Sequence, residues 1–417
     1  MANGKLQITN ELPGLYVHVP FCVKKCRYCD FLSFSADECR KKYGNDVIER
    51  YFRVLESQLD AISNHPDTTD GFLPREVELP LRYDTVYIGG GTPGLVDAEL
   101  IARLLDKFGS VFNIDAAAEI TLEVNPCTVT ADKLRAYRAA GVNRLSMGVQ
   151  SLSDRLLRTL GRVHTAETAK RAVDIAVNYF DNINLDFIFG IPGVRELSTV
   201  EPQSMRELVD CLRFAVDNDI AHVSFYSLII EPETELYWMR ERQELVDLPD
   251  TDERAMYNEI RQFLSENGYI QYEISNFSKP GFESRHNLKY WSGTPYTGLG
   301  LGAVSYLPIN SEPDCYLRLR QTDDLNVGTD PSSKHSGYEI QERLDTAARK
   351  REYMMLGFRK LKGPDPAGYR RLFNGDSFEM DFNTELDTLR KQGLIDAENQ
   401  LTAHGLDFAN EIFMMFI

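Results

Sequence analysis

Val19-Pro-Phe-Cys-Val-Lys-Lys-Cys-Arg-Tyr-Cys-Asp-Phe31 places three cysteines, Cys22, Cys26 and Cys29, within eight residues. Three thiolates on one short loop can hold three corners of a 4Fe-4S cube and leave the fourth iron without a protein ligand, open to a small molecule. A closed zinc site wants four ligands, usually from two separated Cys-x-x-Cys knuckles. No second knuckle exists in the chain, and His18 is the neighbour available to complete such a site. Three donors with a vacancy suit an iron-sulfur centre better than a structural zinc ion. Phe21, Tyr28 and Phe31 interleave the cysteines and would screen a cluster from water.

Outward from this loop, short β-branched or apolar runs alternate with longer stretches of helical spacing. The pattern predicts strands over 15–19, 84–88, 119–124, 144–149, 182–189 and 222–228. It predicts helices over 46–62, 98–108, 131–140, 166–178 and 207–218, the third stopped by Gly141. Such alternation implies right-handed crossovers and a parallel sheet. The cysteine loop follows the first strand and Gly89-Gly-Gly-Thr-Pro93 the second; Glu123 ends the third, Gln150 ends the fourth and Asp186 lies on the fifth. Five consecutive strands thus carry their polar or glycine features toward one end of the sheet, as a full or partial (β/α) barrel does. The expected fold is α/β, a partial TIM-like barrel over 10–310, with a linker or loop over 311–337 and a small helical, winged-helix-like domain over 338–417. Within these, 64–82 reads as an insertion loop, and helices are expected over 338–361 and 383–392.

Composition sets limits on function. The chain has 417 residues, 43% of them hydrophobic, and a net charge of -17, which argues against a nucleic-acid binder dependent on many phosphate contacts. Cys39, Cys127, Cys211 and Cys315 show no pairing pattern, as in a reducing compartment, and each is expected as a buried, inert thiol. Residues 1–12 lack a secretory pattern, and no apolar stretch approaches the length of a membrane span. The expected location is cytoplasmic. Gly89 to Thr92 is neither a phosphate loop nor a dinucleotide fingerprint, since the spacings of both are missing. Beside a three-cysteine loop it reads as the cradle of whatever binds the open iron.

Cys22-x-x-x-Cys26-x-x-Cys29 with Tyr28, together with Gly89-Gly-Gly-Thr-Pro93, resembles the radical S-adenosylmethionine (SAM) superfamily. Tyr16-Val-His-Val-Pro-Phe-Cys22, Glu123-Val-Asn-Pro126, Arg144-Leu-Ser-Met-Gly-Val-Gln-Ser151, Leu160-Gly-Arg-Val-His164 and Asp186-Phe-Ile-Phe-Gly-Ile-Pro192 narrow the likeness to the oxygen-independent coproporphyrinogen III oxidase group. In that superfamily SAM chelates the unique iron, and one electron from the cluster cleaves it to a 5'-deoxyadenosyl radical. The decarboxylating oxidases carry a further cysteine two residues beyond the third, where this chain has Phe31. Arg285-His-Asn-Leu-Lys-Tyr-Trp291 is similar to the His-Asn-x-x-Tyr-Trp signature of the haem chaperone (HemW) branch. One departure is Gly302-Ala-Val304, where relatives often have Gly-Ala-His.

Carried over position by position, the resemblance implies cluster ligation by Cys22, Cys26 and Cys29 and a first SAM contacted by Tyr16, Gly90 and Glu123. Tyr28, Gly91, Thr92, Gln150, Arg162 and Asp186 would touch a second SAM or a substrate region. Their types suit the work: carboxylates accept from ammonium or hydroxyl groups, and Arg162 can grip a carboxylate bidentately or form an internal ion pair. His286, flanked by Tyr290 and Trp291, is both the candidate haem ligand and a candidate hydrogen-bonded core residue. The resemblance implies haem as cargo, a haem-acceptor protein as partner, no nucleic acid, and membrane contact only through the acceptor. The rival reading is a true enzyme, decarboxylating the propionates of coproporphyrinogen III with SAM. The electron donor is left unnamed.

Overall fold

The computed structural model describes residues 12–64, 74, 76–77, 79–195, 200–330 and 338–417. Its frame is a set of six parallel strands laid side by side in chain order: β1 Gly14–Val19, β2 Arg82–Gly90, β3 Asn113–Val124, β4 Arg144–Gln150, β5 Ile183–Phe189 and β6 His222–Ser227. Neighbours one step apart in sequence become neighbours in space because each strand returns through a helix on the outer face. Those helices are placed by ordinary signals. Thr130 caps Ala131–Ala139 by accepting from Lys133 N, and Ser204 with Glu207 forms a capping box at Met205–Asp217. Gly141, at φ +103°, then turns the chain out of the third of these helices.

The barrel stays open. Beyond β6 the sheet continues antiparallel through β7 Asn276–Ser278; beyond β1 it continues through β8 Tyr296–Leu299, β9 Val304–Ile309, β10 Glu312–Gln321 and β11 Tyr338–Leu344. Only β8 on that side runs parallel to its neighbour, β1. A core of aliphatic and aromatic side chains, from Leu15 and Val17 through Leu145, Leu185 and Val223, fills the space between sheet and helices.

Two expectations are corrected here. The stretch 311–337, expected as linker or loop, contains β10, a full member of the sheet with Leu317 and Leu319 buried; 331–337 lie outside the described residues. The alternation Tyr316-Leu-Arg-Leu-Arg320 is a strand pattern, and the Asp and Pro residues that suggested a loop sit at its ends. The helix expected over 338–361 begins only at Thr346, capped by Asp345, because Tyr338–Leu344 pairs with β10 instead. Helix-favouring Glu, Gln and Arg yield there to an otherwise open sheet edge. In the 64–82 insertion, residues 65–73 lie outside the described residues, while Val77 bridges Ile309 and Leu79 is buried.

The C-terminal helices build a separate core around Tyr353, Phe358, Tyr369, Leu386 and Leu389, and Ile412 and Phe416 of the apolar tail are buried in it. Arg359 lies over the Trp291 ring at 4.5 Å and ties this core to the barrel. Among the described residues no helix is long and apolar enough to cross a membrane.

Candidate functional site

Pro20 ends β1, and Phe21–Cys22 then pairs in parallel with Phe34–Ser35, closing the cysteine loop on itself. The loop is pinned from two sides. Arg27 N donates to Leu160 O at 3.0 Å, and Arg27 Nε pairs with Glu235 at 2.9 Å. The glycine loop after β2 docks on it by backbone, Gly91 N to Val19 O at 2.9 Å and Thr92 N to Phe21 O at 2.8 Å. Glycine is required at both positions. A Cβ on Gly90, at φ +108°, would stand 2.5 Å from the His18 ring; one on Gly91 would stand 2.8 Å from Phe21 N.

A cavity of about 390 Å³ opens at this end of the barrel, within the range of small-molecule and cofactor sites. Cys22, Cys26, Cys29 and Tyr28 line one wall, with Gly90, Gly91 and Thr92 beside them. Glu123, Gln150, Arg162 and Asp186 line the rest. Gln150 holds a left-handed φ of +65° at a bulge between β4 and β5, a conformation unusual outside glycine.

Two positions from the sequence reading stand apart. Tyr16 donates or accepts at His18 Nδ1, 2.9 Å away, and the His18 Nε2 lies 2.8 Å from Leu32 O, so Tyr16 shapes the cysteine loop through His18. With both nitrogens engaged, His18 does not complete a zinc site. Among the described residues no three His, Cys, Asp or Glu side chains converge on a single metal ion. His286 is 1% exposed inside the barrel, bonded at Nδ1 to Thr85 Oγ1 and at Nε2 to Tyr290 Oη, both at 2.9 Å. That is the geometry of a satisfied core histidine, and burial pushes its imidazole down to about 3. Cys39 and Cys211 are buried as expected, whereas Cys127 is exposed.

The walls are polar and interlocked. Tyr87 Oη donates to Glu123 Oε1 at 2.7 Å and Gly90 N to Oε2 at 3.0 Å. Burial nevertheless raises the Glu123 carboxyl to about 7, helped by the nearby Asp186. Burial raises Asp186 too, against hydrogen bonds from Asn184 at 2.8 Å and Ser146 at 3.1 Å. Arg162 donates to Gly148 O at 2.7 Å, to Asn125 Oδ1, and to Cys26 Sγ at 3.3 Å. Asn125 in turn donates to Thr92 Oγ1 at 2.7 Å, which faces Cys22 Sγ at 3.5 Å. Asn125, Ser146, Asn184 and Arg144 were not picked out from the sequence as site residues. The signal was present in the period-two alternation along β3, β4 and β5, since Asn125 lies two residues from Glu123, Arg144 and Ser146 six and four from Gln150, and Asn184 two from Asp186.

The Radical SAM superfamily pattern matches residues 16–200. The chain is 32% identical to the haem (heme) chaperone HemW of Bacillus subtilis (strain 168), covering 97% of this chain and 99% of the relative. To the protein of the same name in Escherichia coli (strain K12) it is 34% identical, covering 97% and 98%. The chain belongs to the HemW family of the radical SAM superfamily. The fold agrees: coproporphyrinogen III oxidase (HemN) from Escherichia coli superposes with a TM-score of 0.73 at 23% identity, over 97% of this chain and 90% of that one.

Membership of the HemW family implies a 4Fe-4S cluster and SAM, and the cavity's residues fit both. Burial pushes the Cys22 and Cys29 thiols up, so bare thiolates are disfavoured there and the positive charge of iron would offset that penalty. Thr92 and Arg162 aim donors at two of the three sulfurs, an arrangement that stabilises thiolate ligands.

Proposed function

We propose that this protein binds haem and passes it to an acceptor protein, with a 4Fe-4S cluster on Cys22, Cys26 and Cys29 and SAM in the same cavity. The observation that carries the reading is Phe31, which stands where the decarboxylating oxidases have a further cysteine. It is 69% exposed at the cavity rim, and Ile229, also 69% exposed, lines the rim with it. Large apolar side chains held in water at the mouth of a polar cavity suit a flat, apolar partner, and a porphyrin face is one. The full-length likeness to proteins called haem chaperones supports the same conclusion.

When bound, the cluster supplies one-electron chemistry and an open iron for the amino and carboxylate groups of SAM. The chain's own residues bind and orient. Gly90 and Gly91 present backbone close to the ligand, Glu123 and Asp186 accept from ammonium or ribose hydroxyls, and Arg162 holds the cysteine loop against β4.

Haem titrated into the anaerobic protein is expected to give a saturable Soret band, and haem should move from it to a candidate apo-acceptor. With reductant, SAM and coproporphyrinogen III, no vinyl product should form. Stoichiometric vinyl formation without a saturable haem band would reverse the assignment in favour of the oxidase.

Glu123 sets a pH dependence. A ligand ammonium favours its ionised form, so affinity for SAM should rise as pH increases toward about 7 and level off above it. Glu123→Gln should flatten that profile and weaken SAM binding about tenfold or more, as for loss of a hydrogen bond to a charged group. Equilibrium dialysis between about pH 5 and 9, on the order of two units either side of the transition, reads both effects. For stability the sign is opposite: the folded state holds the Glu123 proton longer than the unfolded chain. Between the unfolded value near ~4.3 and about 7, stability therefore falls as pH rises.

A further inference from the structure

Arg144 opens β4 and is 1% exposed, yet it lines the cavity. It lies six residues before Gln150, roughly 20 Å back along the strand, at the end away from the cysteine loop. Among the described residues its side chain has no hydrogen-bond or ion-pair partner, and its Nε is buried and unsatisfied. Desolvating a guanidinium without a partner is costly, so such groups are normally paired.

The cavity's own carboxylates do not supply the pair. Glu123 is held by Tyr87 and Gly90, and Asp186 by Asn184 and Ser146; both feel the Arg144 charge without touching it. The surroundings leave Arg144 as the local cation. Burial keeps His222 and His286 neutral, and the charge of Arg144 reinforces this in both. Across the register Thr121 pairs with Arg144. It points to the same side as Glu123, two residues on; it does not itself line the cavity, and its Oγ1 is buried without a partner. A planar guanidinium that lines the cavity with its Nε unsatisfied, backed by an unsatisfied hydroxyl, matches the two oxygens of a carboxylate.

We propose that Arg144, with Thr121 beside it, is a carboxylate subsite at the floor of the cavity, taking a carboxylate of the bound ligand. Two ligands carry that group free, haem through its propionates and a second SAM, whose carboxylate, unlike that of the SAM at the cysteine loop, is not spent on the open iron; the choice of haem rests on the function proposed above, the subsite does not.

Haem and haem dimethyl ester are titrated into anaerobic, cluster-reconstituted wild-type, Arg144→Gln, Arg144→Lys and Thr121→Val proteins, and SAM binding is measured on each by equilibrium dialysis. The wild type should prefer free-acid haem at least tenfold. Arg144→Gln should lose that preference while still binding the ester, Arg144→Lys should recover part of it, and Thr121→Val, which keeps the side-chain shape, should lower it if Arg144→Gln fails to fold. An unchanged haem preference with a tenfold loss of SAM affinity, at the weaker of two SAM sites, assigns the subsite to the carboxylate of a second SAM. If neither changes in Arg144→Gln or Thr121→Val, the subsite is overturned, and Arg144 only balances Glu123 and Asp186. Absence of any saturable haem band in the wild type sinks the haem reading instead and leaves the SAM arm to decide the subsite.

Discussion

Cys22→Ala, Cys26→Ala and Cys29→Ala are each expected to purify, without oxygen and after reconstitution with iron and sulfide, lacking the brown absorbance of a 4Fe-4S cluster. With two thiolates left, a second iron loses its protein ligand, and the loop has no spare donor: His18 is committed to Tyr16 and Leu32. Exposed Cys127 lies near Arg162 and lines a small pocket with it and Cys26, but it does not line the cavity that the three cysteines share. The effect is near-total loss of bound iron and sulfide, with loss of any SAM-induced change in the reduced cluster's electron paramagnetic resonance signal. Cys39→Ala and Cys211→Ala are the controls, since both thiols are buried in the apolar core. Retention of a full complement of iron and sulfide in Cys26→Ala would contradict the ligand assignment.

Gly91→Ala should be nearly as damaging, although it adds a single methyl group. The new Cβ would stand 2.8 Å from Phe21 N and 2.9 Å from Phe21 O and the Pro20 carbonyl carbon, all backbone, so no side chain can swing aside. Relief requires the glycine loop to lift from β1, breaking Gly91 N to Val19 O and Thr92 N to Phe21 O. Overpacking of this kind costs about 1–3 kcal/mol, which appears as a ten- to hundredfold weaker SAM site, on the order of the same energy. Gly109→Ala is the matched control. Gly109 lies in the helix Ala98–Val111 with nothing within 4 Å of its Cβ, so alanine should be neutral or slightly stabilising there. Thermal unfolding and SAM dialysis on the two variants separate local crowding from a general cost of losing glycine.

Legibility in the sequence followed the range of the physics involved. The six parallel strands and their helices could be read because each has its own periodicity and caps: the alternation of β5, the Gly141 stop, the Thr130 and Ser204 caps. The cysteine spacing and the glycine run were legible for the same reason, since each is a local pattern tied to one strand end. β11 was misread as helix because its strand state comes from β10, 17 to 28 residues away, whereas the local alternation of β10 was masked by the Asp and Pro residues at its ends.

The sites divide along the same line. Residue types and order along the chain were enough to assign three thiols, a glycine cradle and a set of carboxylates to one mouth of a barrel, because strand direction carries every strand end to the same side. Tertiary packing alone decided what each group faces. It sealed both nitrogens of His286 among Thr85 and Tyr290, put Phe31 out in water at the rim, and left Arg144 buried without a partner. Burial and hydrogen-bond pairing are properties of surfaces brought together from distant segments, and no spacing within one segment encodes them.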